Sequence, residues 1–489
     1  MSQSGKDNRE KSNTGANTIA ALAANVLDKV AYAILLFYFT RYMGAGIYGR
    51  YLLVISVLFL FRTLVTFGMN GLLVRDLARD YSLTNRYLDN SLVLAICLSI
   101  FFYILFILTA VVLKYPPEVF SLFVISGFSL LPYSIVLITE SVLQARQRIK
   151  TTSLMAALNS LFYCVGTIVI LQLSRDLKGV FVTLFFVNVF YAFGLILALY
   201  RMGIKITLKA DLRFMIEILR KVLPFGLLWA MMLVYATSGI VILSKLGTDE
   251  AIGWYGAPLK LVEVLMIIPG SLALALFPVI SKYTKSSLDR LRITYEKALR
   301  YLLLTGLPLC ASTALLSMPI VNLLFGREFQ PSAPIMAVLA LATLIMFVKS
   351  VGLIVVINSS YFNRFIYVFF IFLLTSIGID FLMIYKLGPF GAAISRTITE
   401  FVMLAIQIIF CRMIFKQMPA FFRLAYKPFL ATLIISILLY TFRTISLGAL
   451  VPLAIILYMI LLYVLKEINK EEIMGILNIF GLGRKKNGL

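Results

Sequence analysis

The chain reads as an all-α polytopic membrane protein with fourteen transmembrane helices. Three observations predict this: an excess of apolar residues, apolar runs of membrane-spanning length, and a one-sided distribution of basic residues. Of 489 residues, 61% are hydrophobic and 14% charged, with a mean hydropathy of +0.97. Soluble domains run nearer half apolar and a quarter charged. These charges are too few to coat a water-exposed surface.

A bilayer core of roughly 30 Å needs about 20 residues of helix. Breaking the apolar sequence at charge clusters and Gly/Pro turns gives spans near 18–43, 48–72, 87–113, 118–143, 152–173, 178–201, 222–246, 252–277, 297–323, 332–357, 362–386, 389–412, 424–443 and 447–466. Strands of a membrane barrel are about ten residues long, which excludes that alternative. Residues 1–15 are polar and expected to be a disordered tail. The first span is too long for a signal-peptide core and lacks a small-residue cleavage site, so it is read as retained.

A net charge of +23 would suit a nucleic-acid partner, but its placement argues against one. Both tails and alternate connections carry 31 of the 45 Lys and Arg, the other connections nine, and five lie inside spans. That asymmetry is the positive-inside pattern. It puts both termini in the cytoplasm of an inner-membrane protein, with anionic lipids as contacts. Cys97, Cys164, Cys310 and Cys411 all fall in spans without paired spacing and read as buried thiols. The chain has no histidine, which excludes the usual zinc sites and His-based triads. No cofactor is expected.

The chain also repeats itself. "YMGAGIYGRYLLV" from Tyr42 returns in "KLGTDEAIGWYGAPLKLVE", with Tyr48-Gly49 and Tyr255-Gly256 separated by 207 residues. The third and ninth spans, and the sixth and twelfth, open at matching places. Two pseudo-symmetric six-helix lobes with two appended helices follow: an N-lobe over 16–201, a C-lobe over 222–412, spans 13 and 14 within 413–466, and a tail over 467–489. Segment 202–221 places Phe214, Ile218 and Leu219 on one face and reads as an amphipathic cytoplasmic linker. Repeats of even span number suit alternating access, with the substrate held midway. The outward connections are short, leaving no place for an external catalytic domain, so transport is favoured over a membrane glycosyl- or ligase-type enzyme.

Ionisable groups at membrane depth cost at least about 2.5 kcal/mol and normally face a cavity or a partner. They are Asp28, Lys29, Arg62, Glu140, Lys260, Glu263, Lys349, Asp380, Arg396 and Glu400. Arg396 and Glu400 stand i, i+4 and Lys260 and Glu263 i, i+3, so each pair can meet within its own helix. Glu140 and Asp380 fit snorkelling or an interhelical hydrogen bond. Lys29, Arg62, Lys260 and Lys349 outnumber obvious partners. Cations facing a shared cleft would attract phosphate or diphosphate. Prolines at 258, 269, 308 and 319 add expected bends.

At these residues the sequence resembles a known family. "FTRYMGAGIYGRYLL", "FGMNGLLVRDLAR" and "SVLQARQRIK" in the first half resemble the polysaccharide transporter branch of the multidrug/oligosaccharidyl-lipid/polysaccharide exporter superfamily. So do "LPFGLLW", "IGWYGAPLKLVEVLMIIPGSLALALFPVISK" and "GPFGAAISRTITE" in the second. The resemblance implies a flippase moving polyprenyl-(di)phosphate-linked oligosaccharide to the outer leaflet. It places Lys260 and Glu263 on a Tyr-x-x-x-x-Arg/Lys-x-x-Glu pattern beginning at Tyr255. Substrate-binding candidates are then Lys29, Arg62, Lys260, Glu263, Lys349 and Arg396. Many relatives carry an aspartate where this chain has Gly239, which leaves Asp28, Glu263 and Glu400 as candidates for coupling to H+ or Na+. Two alternatives stay open: a cation-coupled multidrug exporter of the same superfamily, and a murein-precursor lipid flippase.

Overall fold

The computed structural model describes Ala24 and residues 26–416, 421–442 and 447–468. The predicted N-terminal tail, the start of the first span and most of the C-terminal tail lie outside these residues. Every regular element among the described residues is helical. Eleven are long and apolar enough to cross a membrane. Two of these, Val26–Arg79 and Phe362–Phe415, each carry two of the predicted spans, and the shorter apolar helix Gly448–Val464 completes fourteen.

The chain forms two compact units, Met1–Gly253 and Trp254–Leu489. In the first, α1 (26–38) passes through a π-helical turn, Phe39–Met43, into α2 (Gly44–Thr66). Gly44, at φ 83°, supplies the left-handed step between them. Then come α3 (Met69–Arg79), α4 (Thr84–Val112), α5 (Pro117–Gly127), α6 (Leu130–Ala145), α7 (Ile149–Ser174), α8 (Leu177–Arg201) and α9 (Leu212–Leu246), with the start of α10 (Asp249–Leu265). The division into units falls later than the repeat-based lobe boundary because α9 packs along α2. The contact is close: a Cβ on Gly226 would lie 2.7 Å from Phe67.

Segment 202–221 is helical only from Leu212 and runs straight into the seventh span. Its apolar side, Phe214 and Ile218, is buried against Tyr87 and its neighbours in the first unit's core, so that face is covered by protein. The preceding strap is fastened to α4. Buried Asp89 accepts bonds from Thr207 N (2.9 Å), Leu208 N (3.1 Å) and Thr207 Oγ1, and Asn90 Oδ1 accepts from Asp211 N (2.6 Å). Asp211 then caps α9, and the backbone N–H of Phe214 holds its carboxyl below the usual range.

The second unit holds the rest of α10, then α11 (Ile267–Ser286), α12 (Leu288–Leu315), α13 (Ser317–Leu324), α14 (Ser332–Ile357), α15 (Phe362–Phe415), α16 (Phe421–Thr441) and α17 (Leu447–Val464). α10 ends at Leu265 and α12 at Leu315, each four residues before a proline, Pro269 and Pro319. Proline cannot donate to the i−4 carbonyl and its ring clashes there, so both ends follow from the sequence. α15 is two predicted spans joined at Gly388 (φ 56°, ψ −136°). Gly391 is required just beyond, since a Cβ there would sit 2.0 Å from Met383 O. α14 packs against α15, α12 and α11, while α16 and α17 pack on α12 and on each other.

Three of the four cysteines are buried as expected, but Cys97 is exposed. It shares a side of α4 with exposed Ile100, Phe101, Ile104, Leu108 and Val111, an apolar stripe at helical spacing that turns away from the core.

Candidate transport site

The first unit holds an open cavity of about 900 Å³ walled by α1, α2, α6, α7 and α8. Asp28, Arg62 and Glu140 line it, with Tyr51, Tyr133, Tyr163, Asn159 and Asn188. Arg62 reaches it from the C-terminal part of the apolar helix α2. Its Nη2 donates to Ser129 Oγ at 3.1 Å, and its guanidinium carbon lies 4.6 Å from the centre of the Tyr133 ring. Ser129 sits in the break between α5 and α6, so that interruption supplies the hydroxyl. Arg62 Nε is buried with no hydrogen-bond partner among the described residues. A guanidinium carries five N–H donors, so the bond to Ser129 leaves others for a ligand.

Asp28 accepts a 2.7 Å bond from Ser160 Oγ. Lys29 Nζ stands 3.8 Å from Asp28 Oδ2, with both side chains more than half exposed, and Lys29 does not line the cavity. Glu140 accepts from Gln144 Nε2 at 3.0 Å. Tyr51 and Tyr163 share a hydroxyl contact of 3.2 Å. The cavity thus sets one guanidinium against two carboxylates. That is a mixed lining.

In the second unit α14 and α15 bring Lys349, Arg396 and Glu400 together. Glu400 is fully buried, with Arg396 Nη2 at 3.1 Å from Oε1 and Lys349 Nζ on Oε2. Lys349 is therefore not a lone cation: it shares a carboxylate from the neighbouring helix with Arg396, and the trio keeps one net positive charge. The Arg396–Glu400 contact is the i, i+4 pair the spacing predicts. Asp380, also buried, accepts from Ser395 Oγ one residue before Arg396. Lys260 and Glu263 form a separate pair on α10, Nζ lying 2.8 and 2.9 Å from the two carboxylate oxygens. Upstream, Trp254 is tied down by its Nε1 donating to Glu328 O (3.0 Å) and by Ser332 Oγ donating to its carbonyl (2.8 Å).

Sequence reasoning passed over the polar lining of the first cavity. Asn159, Asn188 and Tyr163 were visible as polar interruptions of apolar spans, but which side of each helix they occupy depends on packing. Ser129 carries no signal until the α5–α6 break is known.

The fold is that of solved transporters and flippases. The chain matches a lipid II flippase MurJ in an inward closed conformation with a TM-score of 0.76 and 15% identity, over 92% of this chain and 99% of that one. It matches an inward-facing multidrug resistance MATE family transporter of the MOP superfamily with a TM-score of 0.63 and 14% identity, over 81% and 98%. A MOP superfamily transporter from Pyrococcus furiosus follows, with a TM-score of 0.57 and 14% identity over 83% and 96%. At such identities the likeness is one of fold. Residues 14–284 match the family model for polysaccharide biosynthesis proteins. The chain belongs to that family of polysaccharide biosynthesis proteins. No curated protein sequence matches it.

Proposed function

We propose that the protein is a flippase that carries polyprenyl-(di)phosphate-linked oligosaccharide from the cytoplasmic to the outer leaflet, for surface glycan biosynthesis. The observation that carries this reading is Arg62, which lines a cavity of about 900 Å³ otherwise rich in hydroxyl and amide groups. A guanidinium offers forked donors to a phosphate, and tyrosine and asparagine suit sugar hydroxyls. Two six-span lobes, 16–201 and 222–412, rock about the cargo, and both termini lie on the cytoplasmic face of the inner membrane. Lys29, Lys260, Glu263, Lys349 and Arg396 act along the path rather than as a single cluster. Asp28 is the first candidate for coupling to H+ or Na+, ahead of Glu263 and of Glu400, which already holds two cations.

Asp28 and Glu140 in the same cavity favour a second reading, a cation-coupled exporter. The fold shared with a lipid II flippase keeps a murein precursor as a possible cargo. Proteoliposomes loaded with either a fluorescent polyprenyl-diphosphate oligosaccharide or a fluorescent lipophilic cation separate these readings. The flippase reading expects leaflet exchange of the lipid-linked sugar and no gradient-driven movement of the cation. The reverse pattern would reject it in favour of the exporter.

A further inference from the structure

Two cavities of the second unit follow one another along the same three helices. One, of about 570 Å³, lies among the first turns of α12, the start of α16 and the residues after α17. Arg292, Arg300, Arg423, Lys427 and Lys466 line it against only two carboxylates, Glu296 and Glu467. Both carboxylates are engaged: Glu296 by Arg292 Nε at 3.0 Å, Glu467 by Arg300 Nε at 2.9 Å and Lys427 Nζ at 3.4 Å. Arg423 and Lys466 are exposed and make no ion pair among the described residues. The pocket therefore holds an excess of positive charge, and it stands on the side of the protein that carries the Lys/Arg-rich connections.

The second cavity, of about 370 Å³, begins one residue further along: Tyr301 follows Arg300, and Ile468 follows Glu467. It is walled almost wholly by apolar side chains of α12, α16 and α17, Leu304, Leu439 and Ile455 among them. An open apolar groove leading away from a cationic pocket matches an amphiphile with an anionic head.

We infer that this surface binds one acidic phospholipid, its phosphate between Arg423 and Lys466 and an acyl chain in the groove. Charge selects the headgroup. A zwitterionic lipid would bring its own cation to a pocket already in positive excess, while basic pockets at membrane helix ends favour anionic heads. A soluble anion would leave the groove unexplained. An extended polypeptide would leave main-chain groups unsatisfied against apolar walls. The bound lipid bridges α12 to the α16–α17 pair, which lies outside the two repeated six-span sets, and so stabilises their packing by mass action. The inference does not rest on the transported cargo.

The test is native mass spectrometry of the delipidated full-length protein, titrated in turn with phosphatidylglycerol, phosphatidylcholine and a polyprenyl phosphate. Wild type should retain phosphatidylglycerol and discriminate against phosphatidylcholine. Removing two surface charges by Arg423→Gln with Lys466→Gln should weaken phosphatidylglycerol binding roughly thirtyfold. Ile455→Trp, which fills the groove from an exposed position, should weaken it while leaving both cations in place. Equal binding of the two phospholipids, or wild-type affinity in the double variant, would overturn the inference. So would binding of the polyprenyl phosphate alone at this surface, which would make the occupant the cargo.

Discussion

Arg62 is a single guanidinium near the C-terminal end of α2, and its setting explains why it can be there. One nitrogen is satisfied by Ser129, the Tyr133 ring lies close by, and Nε is left over. Hydrogen bonds to charged groups contribute about 1.5–3 kcal/mol each. Arg62→Gln should therefore weaken binding of a polyprenyl-diphosphate sugar roughly ten- to hundredfold, read by fluorescence titration, with thermal unfolding little changed. Arg62→Lys should recover part of that affinity. Glu400 is a different case. It is fully buried between Lys349 and Arg396, and removing one partner of such a group costs about 3–5 kcal/mol because uncompensated charge stays inside. Glu400→Ala should lower the unfolding temperature in detergent sharply, whereas Lys29→Gln, exposed beside Asp28, should leave it within error. Half of the Glu400 arrangement is legible in the sequence: Arg396 stands one turn before it. Lys349 is not, because the register of α14 against α15 is decided by side-chain packing that no local spacing encodes.

At the scale of elements, glycine and aspartate do the positioning. The stretch around the repeated Tyr-Gly, helical in both copies, has a use in the first unit: α2 and the start of α10 touch backbone to backbone there. A Cβ on Gly49 would lie 1.9 Å from Asp249 O, and one on Gly253 would lie 2.3 Å from Ala45 O. Arg50 ties the same spot, reaching Asp249 at 2.5 Å and Glu118 at 2.9 Å. Gly49→Ala should cost about 1–3 kcal/mol by forcing the helices apart. Gly71→Ala, in open space within α3, should be neutral or stabilise by up to about 1 kcal/mol. Equal melting temperatures for the two variants would deny the close approach. Asp89 is the fastener of the strap before α9, and Asp89→Ala should cost roughly 2–4 kcal/mol and speed proteolysis within 202–211. The helix ends at Leu265 and Leu315 were readable from Pro269 and Pro319. The break between α5 and α6 follows the same rule, since Pro132 stands four residues after Phe128, the cap of α5, although the residues around it read as one apolar run. The amphipathic pattern of 212–221 was also legible, but not what its apolar face would meet.

For the whole molecule, composition and charge asymmetry were enough to give a fourteen-helix membrane protein, because span length and loop charge are properties of the chain against the bilayer rather than of its packing. Site chemistry was less legible. In the first unit's cavity Arg62 is joined by two carboxylates, Asp28 and Glu140, and in the second unit Lys349 shares Glu400 with Arg396. What remains for a phosphate in that cavity is Arg62. The most direct test of the flippase reading is leaflet exchange of a fluorescent polyprenyl-diphosphate oligosaccharide in proteoliposomes holding equal amounts of wild type and Arg62→Gln. The account predicts exchange by wild type and a loss of at least tenfold in the variant. Equal exchange by both, or none by a well-folded wild type, would contradict it.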